Sequence, residues 1–242
     1  MNEYLSYQDV FLIPEYSDFH SRDEAGTLVS LGDRAFRLPV VPANMKCVID
    51  TGLSKWLSEN GYFYIMHRFN KNHEDAPNHD NWEFVKKANE EKWKTISISV
   101  GVQHHDLMFL EKCMFSGYRI DFVTIDIAHA HSIRMKDMLN TLRSMYHMEV
   151  PEGADCDRSS NASPFVIAGN VATPEAVRDL EEWGADAVKV GIAQGGACTT
   201  YGMTGFGAPM FSCMLECAAV AKKPLIADGG IRTNGDIAKA IV

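Results

Sequence analysis

The feature that most constrains this chain is a short apolar run that recurs and breaks off each time into glycine or polar residues. Seven such runs occur: "LPVVPANM" at 38–45, "YFYIMHRF" at 62–69, "TISISVGV" at 95–102, "DFVTIDIAHAH" at 121–131, "SPFVIAGNV" at 163–171, "DAVKVGI" at 186–192 and "KPLIADGG" at 223–230. They are continuous rather than alternating and rich in Val and Ile, as strands buried on both faces are. Helical patterns lie between them. "TPEAVRDLEEWG" offers Thr173 as N-cap, Pro174 at the first helical position and Gly184 as the stop. "DTGLSKWLSENG" stops in the same way at Gly61, and "TNGDIAKAIV" starts after Thr233. Strand and helix in alternation predict a parallel sheet joined by right-handed crossovers.

Seven strands with polar C-terminal ends predict an α/β chain of the (β/α)8 TIM-barrel type, with the eighth strand missing. In that fold the loops after the strands meet on one rim and carry the site. "PANM", "MHRF", "DIAHAH", "GNV", "GIAQGGACTT" and "DGGIRTNG" would gather there. A doubly wound open sheet is the alternative, but it would show one dominant phosphate loop rather than six polar strand ends. The reading is a single barrel domain over 1–242, incomplete at its C-terminus. Closure of the barrel predicts about 80 to 110 further residues in the functional protein. Residues 70–91 read as a polar loop ending in a helical pattern, and 147–162 as an exposed insertion.

A chain of 242 residues, 46% apolar and 23% charged, is an ordinary globular composition. A formal net charge of −9 argues against nucleic acid or an anionic membrane as the main partner. No apolar run approaches the length of a membrane span, and the N-terminus lacks a basic region followed by an apolar core, so the expectation is a cytoplasmic protein. None of the six cysteines forms a CxxC pair, and free thiols are expected.

The most chemical stretch is "DAVKVGIAQGGACTTYGMTGFG", 186–207. It sets Cys198 at the tip of a glycine loop behind a buried strand. A thiol attacks as the thiolate, and backbone N–H groups of a tight loop stabilise that charge. Gly191, Gly195 and Gly196 let the backbone approach a ligand closely. The arrangement suits a covalent cysteine beside an anion, or equally a buried cysteine in a turn. In "ADGGIRTNGDI", Gly229 and Gly230 precede a helix and can take a phosphate, while Asp228 can hold a sugar hydroxyl pair or serve as a cap. His129 and His131 would need a third ligand, such as His67, His104 or His105, to hold a metal. Cys213 and Cys217 fall on an apolar helix face.

"PVVPANM", "FYIMHRF", "ISVGV", "TIDIAHAHS", "VIAGNVATPEAV", "GADAVKVGI", "CTT", "TGFG" and "IADGGIRTNGDIAKAI" keep one order along nearly the whole chain. Together they resemble the IMP dehydrogenase/GMP reductase family. "PANM", "MHRF" and "TGFG", with only residues 70–94 between strands two and three, resemble its reductase branch, which lacks an inserted regulatory domain. The resemblance implies NADPH-dependent reductive deamination of GMP to IMP and ammonia, in purine salvage, through a cysteine thioimidate. It implies Cys198 as nucleophile and Thr200 as the residue that helps activate ammonia or water. Met45, Asn170, Gly196, Asp228, Gly229 and Gly230 fall where the family holds the purine nucleotide. Ser21, Arg22, Arg68, Asp126, Ile127 and Ala128 fall where it holds the dinucleotide. A monovalent cation such as K+ is implied at Gly191 and Cys198. The partners implied are GMP and IMP, and either a homotetramer or a partner chain supplying the missing strand. An IMP dehydrogenase without its regulatory domain, or a non-catalytic nucleotide-binding or assembly subunit, are the alternatives.

The chain also departs from the family loop G-I-G-P-G-(S/K)-V-C-(T/I)-T-(R/K). Ala193 stands for a glycine, Gln194 for proline, Gly196 for serine or lysine, Ala197 for valine and Tyr201 for a basic residue. A positive φ at Ala193 would cost about 1 kcal/mol.

Overall fold

The computed structural model describes residues 4–69, 78–147, 163–195 and 200–242, without the side chains of His147, Thr200 and Tyr201. A hairpin comes first, β1 (Val29–Leu31) antiparallel to β2 (Arg34–Phe36). Five parallel strands follow: β3 (Ser97–Val100), β4 (Phe122–Asp126), β5 (Phe165–Val171), β6 (Ala187–Val190) and β7 (Leu225–Ala227). Their spatial order is their sequence order, the arrangement of successive staves in a (β/α)8 barrel, and the chain forms part of such a barrel. The helices are α1 (Thr51–Glu59), α2 (His79–Glu90), α3 (His104–Phe115), α4 (Ile133–His147), α5 (Pro174–Glu182), α6 (Thr200–Thr204), α7 (Met210–Ala218) and α8 (Asn234–Ile241).

Five of the seven apolar runs are strands of this sheet. The run at 62–69 lies beside β3 through a single parallel bridge, Met66 to Ile98. There the Met66 N–H donates to the Ser97 carbonyl at 3.2 Å and the Ser99 N–H to the Met66 carbonyl at 3.0 Å. The run at 38–45 forms no strand, contrary to expectation. Pro39 and Pro42 remove two N–H donors from it, and a ladder needs both.

Helix starts follow the local chemistry. Thr173 accepts a hydrogen bond from the Ala176 N–H, with Pro174 at the first position of α5. Asp50 caps α1 through the Leu53 N–H. Thr233 and Asp236 cap α8 reciprocally.

Successive strand residues divide between two cores. Val123, Ala168 and Val188 pack toward the helices with Val85, Leu110, Leu139 and Val177. Phe122, Ile167 and Ala187 pack on the other face with Leu31, Phe36, Phe63 and Ile65. The hairpin closes the N-terminal end of that second face. Its Phe36 ring stands 5.1 Å from Phe63 and 5.8 Å from Phe122, and Phe122 stands 5.5 Å from Phe165. Arg34 Nη2 meets Asp121 Oδ1 at 2.6 Å, and Asp121 Oδ2 accepts from the Ile96 N–H at 2.7 Å. The end of the sheet where strands begin is thus sealed by apolar packing. The end where they finish is left for polar groups.

Phe122 is the hub of this seal. Phe122→Ala is expected to lower unfolding stability by about 3–5 kcal/mol, read from the shift of the urea midpoint. An unchanged midpoint would contradict the packing described.

Candidate functional site

Lys189 lies inside β6, on a strand whose four residues are all buried, and is itself 4% exposed. A buried ammonium is tolerated only with partners, and three surround it. Lys189 Nζ lies 2.9 Å from Asn44 Oδ1, 3.1 Å from Asp126 Oδ1 and 3.0 Å from Asp228 Oδ2. Burial pushes its pKa down, but the charges of Asp126 and Asp228 outweigh that, and the net direction is up. The group is therefore an ammonium throughout the neutral range.

Each partner comes from a different segment of the rim. Asn44 lies in the proline-broken run and also donates through Nδ2 to Asp126 Oδ2 at 3.0 Å. Asp126 ends β4, and Arg68 Nε donates to its backbone carbonyl at 3.0 Å. Asp228 follows β7, and its Oδ2 also accepts from Asn170 Nδ2 at 2.7 Å. The same amide donates to the Gly191 carbonyl at 2.7 Å, while Asn170 Oδ1 is buried with no partner among the described residues.

Two glycine turns meet above this cluster. Gly191 has φ 140°, and a Cβ there would overlap the Asp228 carbonyl oxygen. Gly229 has φ 96°, and a Cβ there would come within 2.8 Å of the Gly195 nitrogen and 2.9 Å of the Gln194 carbonyl carbon. The loop after β6 therefore lies directly on the loop after β7. Ala193 adopts φ 68°, the positive angle whose cost the sequence raised.

The expected residues fall into three groups. Arg68, Asp126, Asn170, Asp228, Gly229 and Gly230 gather at the rim, with Ile127 joined to Gly169 and Asn170 by backbone hydrogen bonds of 2.9 and 2.8 Å. Ala128 is exposed beside them, and Met45, 37% exposed, follows Asn44. Ser21 and Arg22 sit apart, in an exposed 3-10 turn where Ser21 accepts from the Asp23 N–H. Gly196 and Cys198 lie outside the described residues, and Thr200 opens α6 with its side chain undescribed. Of the pair on which the cation expectation rests, only Gly191 is described, and its carbonyl already accepts the Asn170 amide.

Lys189 and Asn44 are the site residues that motif reading missed. Their signal was visible, since a lysine inside the run Ala187–Val190 must be neutralised from neighbouring strand ends. The other constellations resolve differently. His131 Nε2 lies 2.8 Å from Asp179 Oδ2, and among the described residues no group of three His, Cys, Asp or Glu is placed to hold a metal. His67 is buried, and burial, then the charge of Lys46, pushes its pKa down. Cys213 and Cys217 are core residues, and the Cys213 thiol donates to the Ala172 carbonyl at 3.4 Å. Among the described residues, no helix is long and apolar enough to cross a membrane.

Comparison with known proteins gives a consistent set of relatives. Residues 4–242 match the family model described as IMP dehydrogenase / GMP reductase domain. A protein named GMP reductase from Helicobacter pylori (strain G27) is 46% identical over 237 residues, which is 97% of this chain and 66% of that protein. Another of the same name, from Acidovorax sp. (strain JS42), is 45% identical over 241 residues, 99% of this chain and 67% of that protein. The crystal structure of inosine 5'-monophosphate dehydrogenase from Legionella pneumophila superposes with a TM-score of 0.79 at 31% identity, covering 99% of this chain and 66% of that one. The chain spans about two thirds of the length of these relatives.

The positive φ of Ala193 gives a prediction about the loop itself. Ala193→Gly is expected to raise stability by up to about 1 kcal/mol, because glycine adopts that angle without a Cβ clash. A lower unfolding midpoint would contradict the strained geometry.

Proposed function

Because the chain belongs to the IMP dehydrogenase/GMP reductase family, we propose that its rim carries the reductive deamination of GMP to IMP and ammonia, with NADPH as the reductant. The observation that carries this reading is the placement of Asp228. Its Oδ2 is fixed by Lys189 and Asn170, its backbone touches the loop that leads to Cys198, and two glycines in positive φ follow it.

In the proposed reaction, the described contacts of Asp228 fall on Oδ2, so Oδ1 accepts from the ribose hydroxyls. Gly229 and Gly230, at φ 96° and 75°, turn the backbone so that N–H groups can meet the phosphate. The Cys198 thiolate attacks C2 of the purine and forms a C–S bond. The 2-amino group takes a proton and leaves as ammonia, with Thr200 guiding that proton, and a thioimidate remains. NADPH, when bound, supplies the hydride that converts C2 to C2–H. The C–S bond then breaks, and the electron pair returns to sulfur as the thiolate.

The residues fit a dinucleotide on the β4 side. Ala128 is exposed directly after Asp126 and Ile127, and Asn170 Oδ1, buried with no partner among the described residues, is an acceptor at the reacting centre between the purine and the dinucleotide. Asp126 and Arg68 would orient the dinucleotide there, while Ser21 and Arg22 stand apart in this chain. The reductase direction is preferred because the relatives named GMP reductase stand at 45–46% identity, against 31% for the dehydrogenase structure.

The test follows NADPH at 340 nm together with ammonia release. Cys198→Ala is expected to lower turnover by more than about a thousandfold. Turnover that survives this substitution would remove Cys198 from its role. NADPH oxidation without ammonia would overturn the reaction.

A further inference from the structure

The position of Lys189 carries a consequence for the proposed site. Asp126, Gly169, Lys189 and Ile226 form one row across β4, β5, β6 and β7 by register. Asp126 and Lys189 are thus separated by a whole strand. The ammonium reaches Asp126 because the residue between them is Gly169, where a Cβ would overlap the Lys189 side chain. The lysine stem crosses β5 at the one position that leaves room for it. The same Nζ meets Asp228 from the β7 side. Two carboxylates that belong to two different ligand subsites in the proposed reaction therefore share a single buried cation.

We propose that Lys189 is a positioning residue that ties Asp126 and Asp228 to one ammonium, so that the dinucleotide side and the purine-nucleotide side of the rim are held and coupled through it. This rests on the reading of the rim as a GMP and NADPH site. Lys189 itself touches neither ligand. Without it, two half-buried carboxylates would face one another with no cation shared between them, and each would rotate or draw water inward. A change on the Asp126 side would then no longer be felt by Asp228.

The test is a variant cycle with two independent readouts. Calorimetric titration with GMP and with NADPH compares the native chain with Lys189→Met, Asp126→Asn and the double variant. Lys189→Met keeps the stem and removes the charge. It is expected to weaken GMP and NADPH each by at least tenfold. Asp126→Asn, on the far side from the purine nucleotide, is expected to weaken GMP at least threefold when Lys189 is present and to have no effect when it is not. Loss of affinity for one ligand only, or retention of both within twofold, overturns the tie.

The second readout is the urea midpoint of the same four proteins without ligand. Asp126→Asn is expected to lower the midpoint in the native background and raise it in the Lys189→Met background, because there it removes one of two unbalanced carboxylates. The same sign in both backgrounds overturns the tie. If Lys189→Met does not fold alone, the double variant is expected to recover a cooperative transition, and failure to do so overturns the tie as well. Should the native chain bind neither nucleotide, the purine reading falls, and the midpoint cycle alone decides the role of Lys189.

Discussion

An ammonium buried in the middle of a parallel sheet persists only if carboxylates come to meet it. Lys189 imposes that condition on the whole rim. It requires Asp126 at the end of β4, Asp228 after β7 and Asn44 on the proline-broken run. It also requires glycine at 169, because a side chain there would overlap the lysine. Four separate stretches of sequence are fixed by one charge. The Asn170 amide, which bridges Asp228 and the Gly191 carbonyl, extends the same network to the loop that leads to Cys198.

The two ends of the sheet are held by different physics. Phe36, Phe63, Phe122 and Phe165 seal the end where the strands start, with the hairpin as a lid and Arg34–Asp121 at its margin. Apolar packing of this kind tolerates no change in volume, but it asks for no particular chemistry. The opposite end is polar, and its buried ammonium is met by Asn44, Asp126 and Asp228. That division lets the packed end supply stability while the rim keeps geometry suited to ligands.

Much of this was legible in the sequence. The strand at 163–171, the cap at Thr173 and the turn at Asp228 followed from local pattern and local chemistry. The hairpin was not legible, because three residues per strand are too few to show a period. The run at 38–45 misled because its apolar content reads as a strand, while Pro39 and Pro42 deny it the hydrogen bonds. Lys189 was passed over because motif reading looks at strand ends, whereas this charge lies inside a strand and acts at the ends of others. Its pairing depends on a register across three strands, which no single segment encodes.

A crystal structure of the protein with GMP tests the central claim most directly. The account predicts density for the nucleotide at the rim, with a ribose hydroxyl within about 3.2 Å of Asp228 Oδ1 while Oδ2 still holds Lys189 and Asn170. The phosphate would lie against the Gly229–Gly230 turn, and C2 would face the Cys198 thiol. Nucleotide bound away from Asp228, or an Asp228 that leaves Lys189 when the ribose arrives, would contradict the account.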